Sequence, residues 1–347
     1  MTNRTVLSLD LAKRVIQVAK FTQDAVIQFN KPMSPAAVKE LLANSKPCIV
    51  AMEGCGSFHY WGRLAKQYGH EVRAMPPIKV KPFIGKQKTD ANDTVGIFVA
   101  CRQPNMTFCP VKSVEQQTIQ SIQTSRRLLD RTAKSISNHI GALLYEYGFT
   151  FKKGNKALRE AMALYLDPLS DVLSAPIKAT LAVLWQQYQD TVKQFDTLNQ
   201  QLSTHVSQSE PCKRLMALEG VGEIGAAGLY ASLGDGSGFQ NGRHASVYVG
   251  VTPKQHSSGG KVIMLGIDKK GGDKSLRATL YFGALAVIRQ LPTEPITRKQ
   301  EWLLALVKRV GVKRACIALA NKTIRTAWAI LRYSQTYQAI PIDAQSQ

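Results

Sequence analysis

Acidic side chains are scarce in this sequence. It has 24 Asp and Glu against 45 Lys and Arg, a formal net charge of +21 over 347 residues. Aromatic residues make up only 7%. No apolar run approaches the ~18 residues that a membrane-spanning helix requires. After the early cation Arg4 no hydrophobic stretch of the secretory kind follows. These absences exclude an integral membrane or secreted protein, and the expectation is a cytoplasmic chain with no membrane partner. The six cysteines, at 48, 55, 101, 109, 212 and 316, include no C-x-x-C pair. That argues against a zinc ribbon or a thioredoxin-like site and for reduced thiols, mostly in cores.

What is present is globular and basic. Hydrophobic residues reach 44%, too many for a disordered basic tail. Residues 1–110 hold 15 basic and 7 acidic side chains, 111–205 hold 11 and 8, and 206–347 hold 19 and 9. Two basic ends flank a nearly balanced middle. With no basic amphipathic helix standing out, the charge points to nucleic acid rather than lipid.

The first segment reads as α/β. Thr5–Leu9 is a β-rich run ending at Asp10, and Val15–Ala19 alternates like a hairpin partner. Cys48–Met52 is almost continuously apolar, the pattern of a strand buried on both faces, and it ends at Glu53 and a Gly54-Cys55-Gly56 turn. A helix is expected from Ser57 and a further strand over Glu71–Met75. The middle reads as long helices. Leu129, Ala133, Ile136, Ile140, Leu143 and Tyr147 form one heptad-like seam, and Leu181 through Leu202 a second, with a break over Phe149–Asn155. An intramolecular helical hairpin and a dimerising coiled coil account equally well for the two seams. The third segment opens with apolar helices around Gly220-Val221-Gly222, a turn that could serve packing or offer backbone N–H groups to a phosphate. Helical patterns follow over Ser275–Arg289 and Glu301–Arg332, with Lys and Arg on their polar faces.

Four of the seven acids in the first segment fall where they could cooperate. Asp10 and Glu53 end strands, while Asp90 and Asp93 are spaced i, i+3 and share a helix face. Clustered carboxylates repel unless a cation neutralises them, and oxygen donors suit Mg²⁺. Asp90 alone could also cap the helix after Thr89. Further on, Gly250–Lys261 is small, polar and basic and reads as an exposed loop presenting the hydroxyls of Ser257 and Ser258. It lacks a G-x-S-x-G elbow or S-x-x-K motif, so taken alone it reads as a phosphate-binding or structural turn.

These stretches occur in one order: a strand ending in Asp10, Met52-Glu53-Gly54, Lys88-Thr89-Asp90-Ala91-Asn92-Asp93, Gly220-Val221-Gly222, and Gly250-Val251-Thr252-Pro253 followed by Ser257-Ser258-Gly259. In that order the chain resembles the DEDD transposases of insertion sequence family 110, particularly its family-1111 branch, and the related Piv DNA invertases. The resemblance implies an α/β plus α fold. Residues 1–110 would be a RuvC-like (RNase H-like) catalytic domain and 111–205 a helical coiled-coil segment. Residues 206–347 would be a mostly helical transposase domain with a helix-hairpin-helix-like element. Asp10, Glu53, Asp90 and Asp93 match the Mg²⁺-binding catalytic tetrad, and Ser258 matches the nucleophile, with Ser257 the weaker candidate. No catalytic role falls to His256.

The resemblance further implies a 5′-phosphoserine intermediate, donor and target DNA, a structured noncoding guide RNA, and a homodimer assembling to a tetramer on DNA. Lys79, Lys81, Lys86, Lys88, Lys269, Lys270, Lys274 and Arg277 are the expected phosphate contacts. A Piv-like invertase, a RuvC-like metal nuclease using water, and a non-catalytic binding protein are the alternatives.

Overall fold

The structure, a computed structural model, describes residues 4–342 apart from 86, 88, 169–170 and 269–270. The chain divides into two compact units, Met1–Gln117 with Leu233–His244, and Thr118–Ser232 with Ala245–Gln347.

The first unit is built on a five-stranded mixed sheet in the order β3-β2-β1-β4-β5. Its strands are β1 (Val6–Asp10), β2 (Ile16–Phe21), β3 (Ile27–Met33), β4 (Ile49–Glu53) and β5 (Glu71–Met75). β1, β2 and β3 run antiparallel in sequence, whereas β1, β4 and β5 are parallel. Leu7, Leu9, Val50 and Met52 pack on one face against Val38 and Leu42 of α1 (Pro35–Asn44) and Trp61 of α2 (Phe58–Gln67). Val6, Ile49 and Ala51 pack on the other against Ile97 and Phe98 of α4 (Asp90–Cys101). Phe98 stacks on Phe21 with ring centroids 3.8 Å apart. Burial on both faces is why β1 and β4 are nearly all apolar; each such Leu or Ile contributes about 1.5–3 kcal/mol. Between β5 and α4 come the short α3 (Pro77–Val80) and a 3₁₀ turn, Lys81–Phe83. β3, which the sequence reading passes over, is the edge strand that carries Pro32.

The second unit is mostly helical. α5 (Val114–Glu146) and α7 (Ala175–Gln208) lie antiparallel in the part of the chain after Gln117, with α6 (Asn155–Tyr165) between them in sequence. Arg126 of α5 bonds Asn199 of α7, while nearer the turn Ile136, Ile140 and Leu144 share a core with Leu158, Leu181 and Tyr188. The two seams therefore meet within one chain. Their register differs from the expected heptad: the buried line is Ile136, Ile140, Leu144, and Tyr147 is 47% exposed.

α8 (Glu210–Met216) and α9 (Glu223–Leu233) flank the Gly220 turn, and α10 (Gly242–Val249) follows. α11 (Lys274–Arg289), α12 (Arg298–Val310) and α13 (Val312–Tyr333) form the last helical group, with Ala284, Leu303, Leu306, Cys316 and Leu319 in a common core. Gly311, at φ 78°, breaks the expected continuous helix over Glu301–Arg332 in two. All six cysteines are free thiols, four of them buried. No helix is long and apolar enough to cross a membrane among the described residues.

Candidate active site: four carboxylates and an exposed hairpin serine

Asp10 and Glu53 are the last residues of neighbouring parallel strands, one position beyond the Leu9–Met52 pair. Both are half-buried. After Glu53 the chain turns sharply: the Gly54 N–H donates to Met75 O at 2.7 Å, and Ser57 enters α2 with φ 67°. A Cβ on Gly54 would lie 3.3 Å from Cys109 Sγ and 3.4 Å from Met75 O, so a larger residue at this corner would press on the Cys109 thiol. The thiol of Cys55 lies in the field of both carboxylates. Its pKa is raised by burial first, then by Glu53 and, more weakly, Asp10.

Asp90 and Asp93 occupy the first turn of α4, where the helix dipole favours negative charge. The cap is Thr89, whose Oγ1 accepts from the Asn92 N–H at 3.2 Å. Asp90 is therefore not the cap that the sequence alone allows; it is exposed. Asp93 is half-buried, and its Oδ1 is buried with no hydrogen-bond partner among the described residues.

A line of hydrogen bonds ties this helical turn to β2, at the residue opposite the end of β1. Gln17, the strand residue opposite Asp10, donates from Nε2 to Asn30 Oδ1 at 2.8 Å. Asn30 Nδ2 donates to Ala91 O at 3.0 Å, and Thr94 Oγ1 donates to Ala91 O at 2.7 Å. Gln17 and Asn30 escape the sequence reading because nothing local links them to Ala91. Among the described residues, no three His, Cys, Asp or Glu side chains come close enough to share one metal ion. Asp10 and Glu53 thus stand at adjacent strand ends, and Asp90 and Asp93 on one helical turn.

The serine segment is a β-hairpin instead of the expected loop. β6 (Pro253–Ser258) pairs antiparallel with β7 (Lys261–Ile267) through a Gly259-Gly260 turn with φ 55° and 76°. Positive φ at both turn residues matches the right-handed twist of a two-residue hairpin, and glycine allows it without strain. Every residue of β6 is exposed. Ser258 is the last residue before the turn and pairs with Lys261, which puts the two side chains on the same face. The hydroxyl of Ser257 accepts from Gln255 Nε2 at 2.8 Å. Lys254 and Asp268 bridge the base of the ribbon at 3.1 Å. The four carboxylates belong to the first unit and Ser258 to the second.

Of the expected phosphate contacts, Arg277 is corrected. It is only 8% exposed and donates inward to the carbonyls of Gly250 (3.2 Å) and Gly271, so it holds the loop and cannot meet solvent phosphate. Lys79 donates to Thr107 Oγ1 at 2.6 Å; Lys81 and Lys274 are exposed. Lys86, Lys88, Lys269 and Lys270 lie outside the described residues. The Gly220 turn packs against α11, and α9 opens with Glu223, which accepts from Ser203 Oγ at 3.0 Å. A carboxylate at that helix start disfavours a phosphate there.

The description of the transposase family IS116/IS110/IS902 matches residues 212–299. The chain is similar to a probable family 20 transposase of Pseudomonas aeruginosa, 35% identical over 340 residues that cover 97% of this chain and 99% of the relative. It is 33% identical over 338 residues to the transposase for insertion sequence element IS1111A of Coxiella burnetii, covering 97% and 92%. A more distant similarity, 21% over 304 residues covering 85% and 83%, is to the pilin gene-inverting protein of Moraxella bovis. With full-length relatives at this identity, the chain belongs to the IS116/IS110/IS902 family of transposases.

Proposed function

We propose that this transposase is a Mg²⁺-dependent serine recombinase that cuts and rejoins donor and target DNA, directed by a structured noncoding RNA. The observation that carries the reading is the placement of the scarce acids. Asp10 and Glu53 end adjacent parallel strands, and the turn bearing Asp90 and Asp93 is bonded to the residue opposite Asp10. A RuvC-like first domain is supported by the strand order β3-β2-β1-β4-β5, with an antiparallel meander joined to parallel β4 and β5.

The donors fit a hard divalent cation: all are anionic oxygens, and Asp93 Oδ1 is a buried acceptor without a hydrogen bond among the described residues. Asp10 and Glu53 from the strand ends, and Asp90 and Asp93 from α4, would hold Mg²⁺ as two sets of ligands, since no three of them meet around one ion among the described residues; the metal when bound supplies charge neutralisation at the reacting phosphate. Ser258 Oγ forms a bond to phosphorus, the bond from phosphorus to the 3′ oxygen breaks, and the serine proton ends on that oxygen. The products are a 5′-phosphoserine and a free 3′-hydroxyl. The ester keeps the energy of the broken phosphodiester, so rejoining needs no nucleoside triphosphate. Lys261 offers positive charge on the Ser258 face of the hairpin, beside the developing negative oxygens. Ser258 is favoured over Ser257, whose hydroxyl is engaged by Gln255. A homodimer pairing to a tetramer would hold the two DNA partners.

The test is a search for an SDS-resistant protein–DNA adduct with Mg²⁺, RNA transcribed from the element's flanks, and labelled donor and target DNA. An adduct mapping to Ser258, lost in Ser258→Ala and in Asp10→Asn, is the expected result. Cleavage without adduct, unchanged in Ser258→Ala, would replace the recombinase by a metal nuclease. The pilin gene-inverting relative favours a second reading, site-specific inversion. A plasmid with inverted element ends separates the two, since inversion without excision or integration would identify an invertase.

A further inference from the structure

Between Arg298 and Arg332 the chain carries nine Lys and Arg and a single acid, Glu301. α13 arranges part of this charge in a line. Arg325 and Arg332 follow Arg314 by eleven and eighteen residues, which at ~100° per residue sets all three within about 20° of one line. Lys322 lies about 80° round the helix, and the half-buried Trp328 about 40°. The opposite side is the packed one, with Ala315, Cys316, Leu319, Ile324 and Ala327 buried.

Arg314, Lys322, Arg325 and Arg332 are all exposed, and among the described residues none has an acidic partner within ion-pair distance. Lys322 lies over the Trp302 ring, 4.4 Å from its centroid. Its pKa is lowered by burial first and then by Lys299 and Arg325, so the charges at the middle of the face repel. At the far end Tyr333 is 59% exposed and meets Trp328 edge to face at 5.7 Å.

We infer that the exposed face of α13 is a docking surface for the phosphate backbone of duplex DNA. An unneutralised line of cations is complementary to a regular line of anions, and the arginines span ~27 Å of helix, close to one turn of duplex at ≈34 Å. Charge alone suits any nucleic acid; the duplex is assigned because the relatives of this chain are transposases, whose substrate is DNA. Arg presents a planar fork that matches phosphate oxygens. The inference rests on the reading of this chain as a protein that acts on DNA, and it assigns one surface to that contact.

The test is binding of the full-length protein to a labelled duplex of element-end sequence, as a function of salt. The comparison is with Arg314→Gln/Arg325→Gln/Arg332→Gln, its fold checked by circular dichroism. Losing three phosphate contacts lowers the log–log salt slope by about 2.7. The advantage of the unsubstituted protein then shrinks about 40-fold between about 50 and 200 mM salt. Should the triple variant not fold, Arg325→Gln alone is expected to lower the slope by about 0.9. Failure of the unsubstituted protein to bind duplex overturns the DNA reading itself. Binding by the variant with an unchanged slope overturns the α13 surface only. So does loss confined to the flank-derived RNA with duplex binding intact.

Discussion

Gly220 and Gly283 touch backbone to backbone: a Cβ on Gly220 would sit 2.7 Å from the carbonyl oxygen of Gly283. The Gly220 turn, at φ 77°, is thereby locked onto the middle of α11. In an open helix, Gly→Ala would stabilise by about 1 kcal/mol. Here the sign reverses, because the added methyl meets a carbonyl that cannot move aside as a side chain would. Gly283→Ala is expected to destabilise the second unit by about 2 kcal/mol or more in urea unfolding. A gain in stability would show that the contact is loose.

Asn30 joins the edge strand to the turn that carries Asp90 and Asp93. Asn30→Ala removes donors and acceptors from Gln17, Thr94 and Ala91 at once and costs about 1–2 kcal/mol of stability. The larger effect is expected in chemistry, with Ser258 adduct formation requiring more Mg²⁺ for half-maximal yield. A Mg²⁺ titration superimposable on that of the unsubstituted protein would deny Asn30 this positioning role.

His59 sets a pH dependence. Burial, then the charges of Lys112 and Arg63, push its pKa down to about 4, and its Nδ1 accepts from the Lys112 N–H at 3.1 Å. In the unfolded chain an ordinary histidine takes up its proton near pH 6.5. Between about 6.5 and 4 the unfolded state therefore binds the proton and the folded state does not, so stability falls as the pH is lowered through this window. His59→Asn keeps an acceptor for the Lys112 N–H and has nothing to titrate. Its urea midpoint should change less between pH 7 and pH 5 than that of the unsubstituted protein.

Tyr337 donates to Glu219 Oε1 at 3.0 Å, while Lys299 donates to Oε2 at 2.6 Å. Burial alone would raise the Glu219 pKa; bonds from Lys299, the backbone and Tyr337 outweigh it and hold the carboxyl below its usual range. A carboxylate depressed in the folded state adds stability above its unfolded pKa and loses it as pH falls through the folded value. Tyr337→Phe should cost about 1 kcal/mol at neutral pH, with a smaller difference in acid. Equal loss at both ends of the pH range would point to ring packing instead.

The sequence makes the central strands plain because a strand buried on both faces must be apolar throughout, as Val6–Leu9 and Ile49–Met52 are. β3 is hidden by the opposite condition: it is an edge, largely exposed, polar and interrupted by Pro32. The acids at strand ends are visible because they terminate apolar runs. Their supports are not, since Gln17, Asn30 and Ala91 meet only after the chain has crossed 61 residues between Asn30 and Ala91. Arg277 misleads for a local reason: beside a glycine-rich loop a cation suggests phosphate, whereas these glycines leave carbonyls for the guanidinium to fill. Small polar residues around Ser258 mask a ribbon whose turn, Gly259-Gly260, was the one legible sign of it.

That ribbon has a consequence for how variation in this protein can be detected. Val262, Ile263, Met264 and Leu265 are 48–62% exposed, and a two-stranded sheet without a core is at best marginally stable in water. Substitutions along it should leave the melting temperature almost unmoved, because global unfolding scarcely registers the arm. A screen for thermal stability would pass over the segment that displays Ser258, and only an assay of strand exchange would see it.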